Sequence, residues 1–426
     1  MSQLLRLLSL AMRPNRHQHD VWLTLREGRF VTSGRNPVSE SRLRLVTLWI
    51  LGLLLLSPVP AIAQTWEWSS ETVDSLGQSL SMTADKSGNI HLSYVSGRTV
   101  KYAFRPAHSP RWFTMDVANT EGYANPATSL ALDPQGNPHI CFTPGVLRYA
   151  SFDGKKWDVQ QIDPGSGLIE YNCSVAIAPD GTQHVTWYQY STPEGGYYLH
   201  VKHAVLQGGT WMARTVDFEG QTGKWNFIVV DAQGVPHMSY DSFLLGALKY
   251  AFFDGKEWKV SVVDARDMGG DAYNRGMGNC VILNREGKAQ ISYEYNDKLL
   301  YAWQTDTSWK TETIESISTT GSWMGFRTRQ ALDSRGNPHV VFEDGGSVKH
   351  AFWDGSHWRI QVVSPPGIER NRFQDIAIDQ EGTIFIAYRD ATDSSVKVAV
   401  GRPKGADLSP SDPAKTAKGS NSDDKR

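Results

Sequence analysis

Gly136 to Asp163 reads GNPHICFTPGVLRYASFDGKKWDVQQID, and the punctuation of this stretch decides the fold. Asn137-Pro138 opens an apolar run that closes at Phe142, and Thr143-Pro144-Gly145 turns the chain. A second run spans Leu147 to Phe152, Asp153-Gly154 turns again, and Trp157 opens a third. Asp-Gly between alternating apolar runs is a strong signal for a β-hairpin. The stretch therefore predicts three short antiparallel strands with tight turns.

The same phrases recur along the chain. Asp-x-x-Gly-x-x-His occurs at Asp85–His91, Asp133–His139, Asp231–His237 and Asp333–His339, with blurred copies around Gly181, Gly287 and Gly382. The seven glycines, 88 to 382, recur every ~49 residues, a period that belongs to repeat architectures. An apolar-basic-aromatic-Ala phrase follows each, as in Val100–Ala103, Leu147–Ala150, Leu248–Ala251 and Val348–Ala351. A Trp then opens a strand at Trp157, Trp211, Trp258, Trp309 and Trp358, and the first four of these strands end in an acidic residue. Each unit thus holds four strands, the signature of a propeller blade. The seventh unit stops near Val400 without its Trp strand, and a matching one, Trp68 to Asp74, stands at the other end. The expected fold is all-β: a seven-bladed β-propeller with four antiparallel strands per blade. The N-terminal strand would complete the last blade and remove the free edges.

Repetition also sorts residues by role. A residue copied in most blades is what a blade needs to fold, whereas one that breaks the repeat on a loop is where function can reside. The histidines 91, 139, 184, 237 and 339 occupy one position in five different units, so they cannot converge on a metal. They read as structural, as does the repeated Lys/Arg before Tyr-Ala. The symmetry breakers fall on two sets of loops that open on one face. Leading into the innermost strands are Trp225, Tyr273, Arg275, Trp323, Arg327, Arg329 and Arg372. At the ends of the second strands stand Tyr240, Asp241, Tyr293, Glu294, Tyr295, Glu343 and Asp390. Aromatic platforms beside hydrogen-bonding groups suit sugar rings, and arginines suit carboxylates.

Lys+Arg 43 against Asp+Glu 45 gives no basic excess for nucleic acid. Residues 1–41 read as a disordered leader, and 42–63 as a signal peptide: Arg42 and Arg44, an apolar run Leu45–Leu56, then Ala61-Ile62-Ala63. The run falls short of the ~20 residues of a membrane span, so cleavage before Gln64 is favoured over an uncleaved anchor. Residues 64–402 form the propeller and 403–426 a disordered polar tail. Secretion or a periplasmic location follows, with a monomer expected. Cys141, Cys173 and Cys280 are an odd count in predicted strands, and buried free thiols are the expectation. No cofactor motif is present; the Asp390–Asp393 loop reads as a solvated turn, with Ca²⁺ as the alternative.

Ser151-Phe-Asp153-Gly154-Lys-Lys-Trp157 resembles the Asp-box hairpin of sialidase-like propellers with one residue fewer, and Asp254–Trp258 and Asp354–Trp358 are further copies. The resemblance covers about residues 66–402 and implies a secreted bacterial propeller. In sialidases three arginines hold a substrate carboxylate beside a Tyr/Glu pair and an Asp. Carried over, Arg275, Arg327 or Arg329, and Arg372 would form the triad, with Tyr295 or Tyr273, Glu294 and Asp241 as catalytic candidates. The arginine-isoleucine-proline motif of sialidases is absent, however. The resemblance to propeller-type polysaccharide lyases lacks their loop histidine, since Asp241–Gly246 contains none. The leading expectation is a binder of a glycan or other extracellular ligand on the loop face. A glycan-cleaving hydrolase or lyase for an acidic sugar is the alternative, and an envelope interaction scaffold the third.

Overall fold

The computed structural model describes residues 22–26, 29–33, 65–120, 127–143, 145–162, 172–191, 198–265, 275–318, 328–366, 374–390 and 392–404. The chain divides into two units, Met1–Ala63 and Gln64–Arg426. In the first, Trp22–Arg26 pairs antiparallel with Arg29–Ser33, a hairpin within the stretch read above as a disordered leader. Residues 42–63, read above as a signal peptide, and the residues beyond Lys404 lie outside the described residues.

The second unit is seven antiparallel sheets of four strands each. Blade 1 runs through Gln78–Ala84, Ile90–Ser96, Thr99–Arg105 and Phe113–Asn119, and blade 2 through Thr128–Leu132, Pro138–Phe142, Arg148–Phe152 and Trp157–Gln161. Blade 3 comprises Cys173–Ile177, Gln183–Ser191, Tyr198–Gln207 and Thr210–Asp217; blade 4 comprises Thr222–Val230, Pro236–Ser242, Ala247–Phe253 and Trp258–Asp264. Blade 5 is built from Arg275–Leu283, Ala289–Tyr295, Lys298–Gln304 and Trp309–Ser316, and blade 6 from Arg329–Leu332, Pro338–Asp344, Ser347–Trp353 and Trp358–Val362. Blade 7 takes Gln374–Ile378, Ile384–Arg389 and Val396–Pro403, and its fourth strand is the N-terminal Trp66–Asp74. The first strands touch one another in order around the ring, the seventh reaching the first.

The repeated phrases are explained by their bonds. In blade 2, Asp133 caps its turn, with Oδ1 accepting the N–H of Gln135 and Asn137. Gly136 takes the left-handed backbone (φ 87°) that this turn requires. The other carboxylate oxygen lies 3.5 Å from Nε2 of His139, whose Nδ1 meets the Tyr149 hydroxyl at 2.6 Å. The relay repeats as Asp85–His91–Tyr102 and Asp231–His237–Tyr250. In blades 3 and 6 a histidine replaces the tyrosine, giving His184–His203 at 3.0 Å and His339–His350 at 2.9 Å. Burial holds His203 and His350 well below the ordinary imidazole range, so both are neutral at pH 7. The histidines are therefore blade cement.

Blades adhere through apolar surface, the dominant favourable term in folding. Seven buried clusters occur among the described residues, one at each blade interface, and that between blades 7 and 1 sets Phe385 and Val398 against Leu80 and Leu92. Each fourth-strand Trp stands edge-on to the aromatic of the preceding blade: Trp157 on Tyr102, Trp211 on Tyr149, Trp309 on Tyr250. The N-terminal strand supplies the same contact to blade 6 through Trp68 on His350. Polar latches add register. The N–H of Leu130, Val175 and Ile228 each donate to a serine of the preceding blade, Ser81, Ser129 and Ser174, at 3.1–3.2 Å.

The cysteine expectation is corrected. Cys141 of blade 2 and Cys173 of blade 3 form a disulfide, with Cα atoms 6.4 Å apart. They are 32 residues apart in sequence, but second and first strands of neighbouring blades face each other, and this juxtaposition is invisible to a count. Cys280 alone is free, and burial pushes its thiol up to about 12. Closing a 32-residue loop constrains the unfolded chain. The Cys141→Ser/Cys173→Ser double variant is expected to lose about 2–4 kcal/mol in urea unfolding, and the wild type to lose as much on reduction. Equal midpoints with and without reductant would show the bond to be energetically idle.

Candidate functional site

Strand alternation divides the residues expected on the loop face into two sets. Tyr240 and Tyr293 point between blades. The Tyr240 hydroxyl donates to Asp217 Oδ2 at 2.9 Å, where Lys249 Nζ also lies at 2.9 Å; Tyr293 donates to Asp264 Oδ2 at 2.6 Å. Blade 1 repeats the arrangement with Tyr94, Lys101 and Asp74. These tyrosines are fully buried, which corrects their reading as exposed ligand contacts. Asp390 is likewise committed: Oδ1 takes the N–H of Thr392, Oδ2 pairs with Lys397, and these partners outweigh burial to hold it down to about 2. Tyr273, Trp323, Arg327 and Arg372 lie outside the described residues, as does the side chain of Arg275.

The residue after each of those tyrosines is different. Asp241, Glu294 and Glu343 pair with Leu248, Leu299 and Val348, one repeat position in three consecutive blades. Blades 1, 3 and 7 carry Val95, Tyr188 and Arg389 there. All three carboxylate residues are buried, at 2 %, 6 % and 2 % exposure. Asp241 Oδ1 accepts the N–H of Trp225 at 2.8 Å, and Glu343 Oε1 accepts that of Gly346 at 2.7 Å. Burial pushes Asp241 up to about 7, against the Trp225 bond and the Lys224 charge, which favour ionisation. Tyr295 is buried beside Glu294, two residues beyond Tyr293 on the same strand.

The loop beneath Trp225 is fixed from several sides. Leu244 N donates to Gly220 O at 2.8 Å, and Thr222 Oγ1 to Asp217 O at 2.8 Å. Gly223 takes φ 90° against Val201, where a Cβ would overlap the valine. Asn279 Nδ2 holds Trp225 O at 3.0 Å, and Asn226 receives Thr186 Oγ1 at 2.8 Å, so the asparagines act as latches between blades. The result is a preorganised arc of carboxylates with an indole at one end.

Arg329 lies on the first strand of blade 6, opposite Val341 and two residues below the Glu343 level. Its guanidinium stands 4.9 Å from the centre of the Phe227 ring of blade 4, a cation–π contact that the sequence did not disclose. The signal was present: Phe227 falls where blades 1 to 3 carry Ser81, Ser129 and Ser174.

No protein-family model and no curated protein matches the chain. Among solved structures, an ulvan lyase bound to -[GlcA(1-4)Rha3S]- superposes with a TM-score of 0.54 at 11% identity, over 79% of this chain and 98% of the lyase. A second structure of an ulvan lyase gives 0.51 at 11% identity, over 80% and 96%. A fucose-specific lectin from Aleuria aurantia gives 0.48 at 15% identity, over 70% and 100%. At such identity the two lyase likenesses show a shared β-propeller fold and leave the ligand open.

Proposed function

We propose that this is an exported propeller that binds a glycan across the loop-side mouth of blades 4 to 6. The arc of Asp241, Glu294 and Glu343 carries the reading: it breaks the repeat at one position in three successive blades. Carboxyl oxygens accept hydrogen bonds, and fixed acceptors suit the hydroxyl rows of a sugar. Trp225, expected above as a ligand platform, is buried at 7 % exposure and instead fixes the end of the arc through its N–H bond to Asp241. The propeller fold shared with a lyase solved on a sugar chain agrees with this use of the mouth. Export rests on the charged, apolar and Ala-x-Ala sequence of residues 42–63.

A glycan array followed by calorimetry on the full chain tests the reading. The Glu294→Gln/Glu343→Gln variant is expected to fold like the wild type and bind at least ~10-fold more weakly, since the geometry stays and the charge goes. Absence of any saturable glycan would overturn it. Asp241 favours a second reading, cleavage, because a carboxyl that titrates near neutrality suits proton transfer. Product release by the wild type that disappears in Asp241→Asn would establish that reading instead.

A further inference from the structure

Every first strand faces its neighbour at one repeat position, filled in order by Ser81, Ser129, Ser174, Phe227, Cys280, Arg329 and Asp375. Three serines and Asp375 accept a backbone N–H from the next blade there, Asp375 Oδ2 taking Met82 N at 2.8 Å. Phe227 and Arg329 break the latch, since neither side chain can accept that bond. They come from blades 4 and 6, with blade 5 between them, yet they meet at 4.9 Å. The two side chains therefore meet past the first strand of blade 5.

Among the described residues the guanidinium makes one hydrogen bond, Nη1 to Thr328 O at 2.9 Å. Arg329 is 91% buried, with 9 % of its surface exposed. No carboxylate among the described residues lies within ion-pair distance of it. Asp375 feels its charge but is spent on the N–H groups of Met82 and Ile376. A buried charge without a counter-charge is costly, and a serine here would close the latch as in blades 1 to 3. A fork of donors beside an aromatic ring suits recognition of a planar or tetrahedral oxyanion.

We propose that Arg329 and Phe227 form an oxyanion site in the channel, one step below the carboxylate arc, that takes the carboxylate or sulfate group of an acidic glycan. Two residues of strand separate Arg329's partner Val341 from Glu343, about 7 Å. A sugar whose hydroxyls meet the arc can thus direct its acid group inward, away from Asp241, Glu294 and Glu343. The glycan source rests on the function proposed above; the oxyanion chemistry does not, and a small free anion would use the same donors.

The test uses the full chain with inorganic sulfate and with a galacturonate oligomer, against sodium chloride of equal ionic strength and a neutral galactose oligomer. Expected for the wild type is a sulfate-specific rise in Tm and tighter binding of the acidic oligomer. Arg329→Met is expected to fold with an equal or higher Tm, to lose the sulfate-specific rise, and to bind galacturonate about tenfold or more weakly. Arg329→Lys, which keeps the charge and loses the fork, should be intermediate, and it decides the matter should the methionine variant not fold. A sulfate response identical in wild type and variants, or none at all, overturns the site. Galacturonate binding that survives Arg329→Met but not Glu294→Gln/Glu343→Gln overturns the channel site and leaves the glycan reading intact. An Arg329-dependent sulfate response without binding of any glycan supports the site with a free anion as occupant, and the glycan reading then fails.

Discussion

Replacing Glu71 by alanine is expected to destabilise the propeller by about 3–5 kcal/mol, the range for stripping one partner from a buried ion pair. Glu71 lies on the N-terminal strand that completes blade 7, and its carboxylate grips Arg105 of blade 1 with both oxygens, at 2.8 and 2.9 Å. The indole N–H of Trp112 donates to the same carboxylate at 2.9 Å. Arg105 is 3 % exposed and lies over the Phe385 ring, so its charge has no route to water when Glu71 is removed. The exposed Lys259–Glu257 pair is a useful contrast, since solvent and side-chain entropy reduce such contacts to about 0–1 kcal/mol. Glu71→Ala/Arg105→Met should recover most of the loss, because no buried charge is then left without its partner. Urea midpoints of the wild type and the two variants provide the check. A single-variant loss under ~1 kcal/mol would mean that Arg105 finds water, and that this contact does not lock blade 7 to blade 1.

How far the sequence could be read follows from what repeats. Asp133, His139, Tyr149 and Trp211 are copied because each blade needs one relay and one edge-on contact, so four residue types at fixed offsets announce the architecture. The period-2 rule was available for Tyr240 and Asp241 as well. Adjacent strand residues face opposite sides, and the tyrosine copied in Tyr94 and Tyr293 is the structural one. Other facts depend on closure of the ring. Phe227 meets Arg329 past the intervening blade 5, and Cys141 meets Cys173 across a blade interface; no local pattern encodes either distance. The arginines 275, 327 and 372 belong to positions whose side chains lie outside the described residues, so the expected triad is legible in sequence alone.

Asp241→Asn is the second substitution with a large expected effect, and it acts through pH. Burial raises the folded-state value to about 7, against about 3.9 in an unfolded chain. Between those values the folded protein holds a proton that the unfolded chain has released, so stability falls as pH rises from about 4 to about 7 and is level above. Three units correspond to roughly 4 kcal/mol as an upper scale. The amide keeps the acceptor for Trp225 N–H, bonded at 2.8 Å in the wild type, and has nothing to ionise. The variant should therefore match the wild type near pH 4.5 and exceed it by a few kcal/mol at pH 8. Unfolding free energies at the two pH values measure this directly, and parallel pH profiles for the two proteins would sink it. Binding gives the complement. An acid that costs the fold stability at neutral pH, at a position where blade 1 is content with Val95, is held there by use. A variant that is more stable and also binds glycan as well as the wild type would remove Asp241 from the arc and leave Glu294 and Glu343 to carry it.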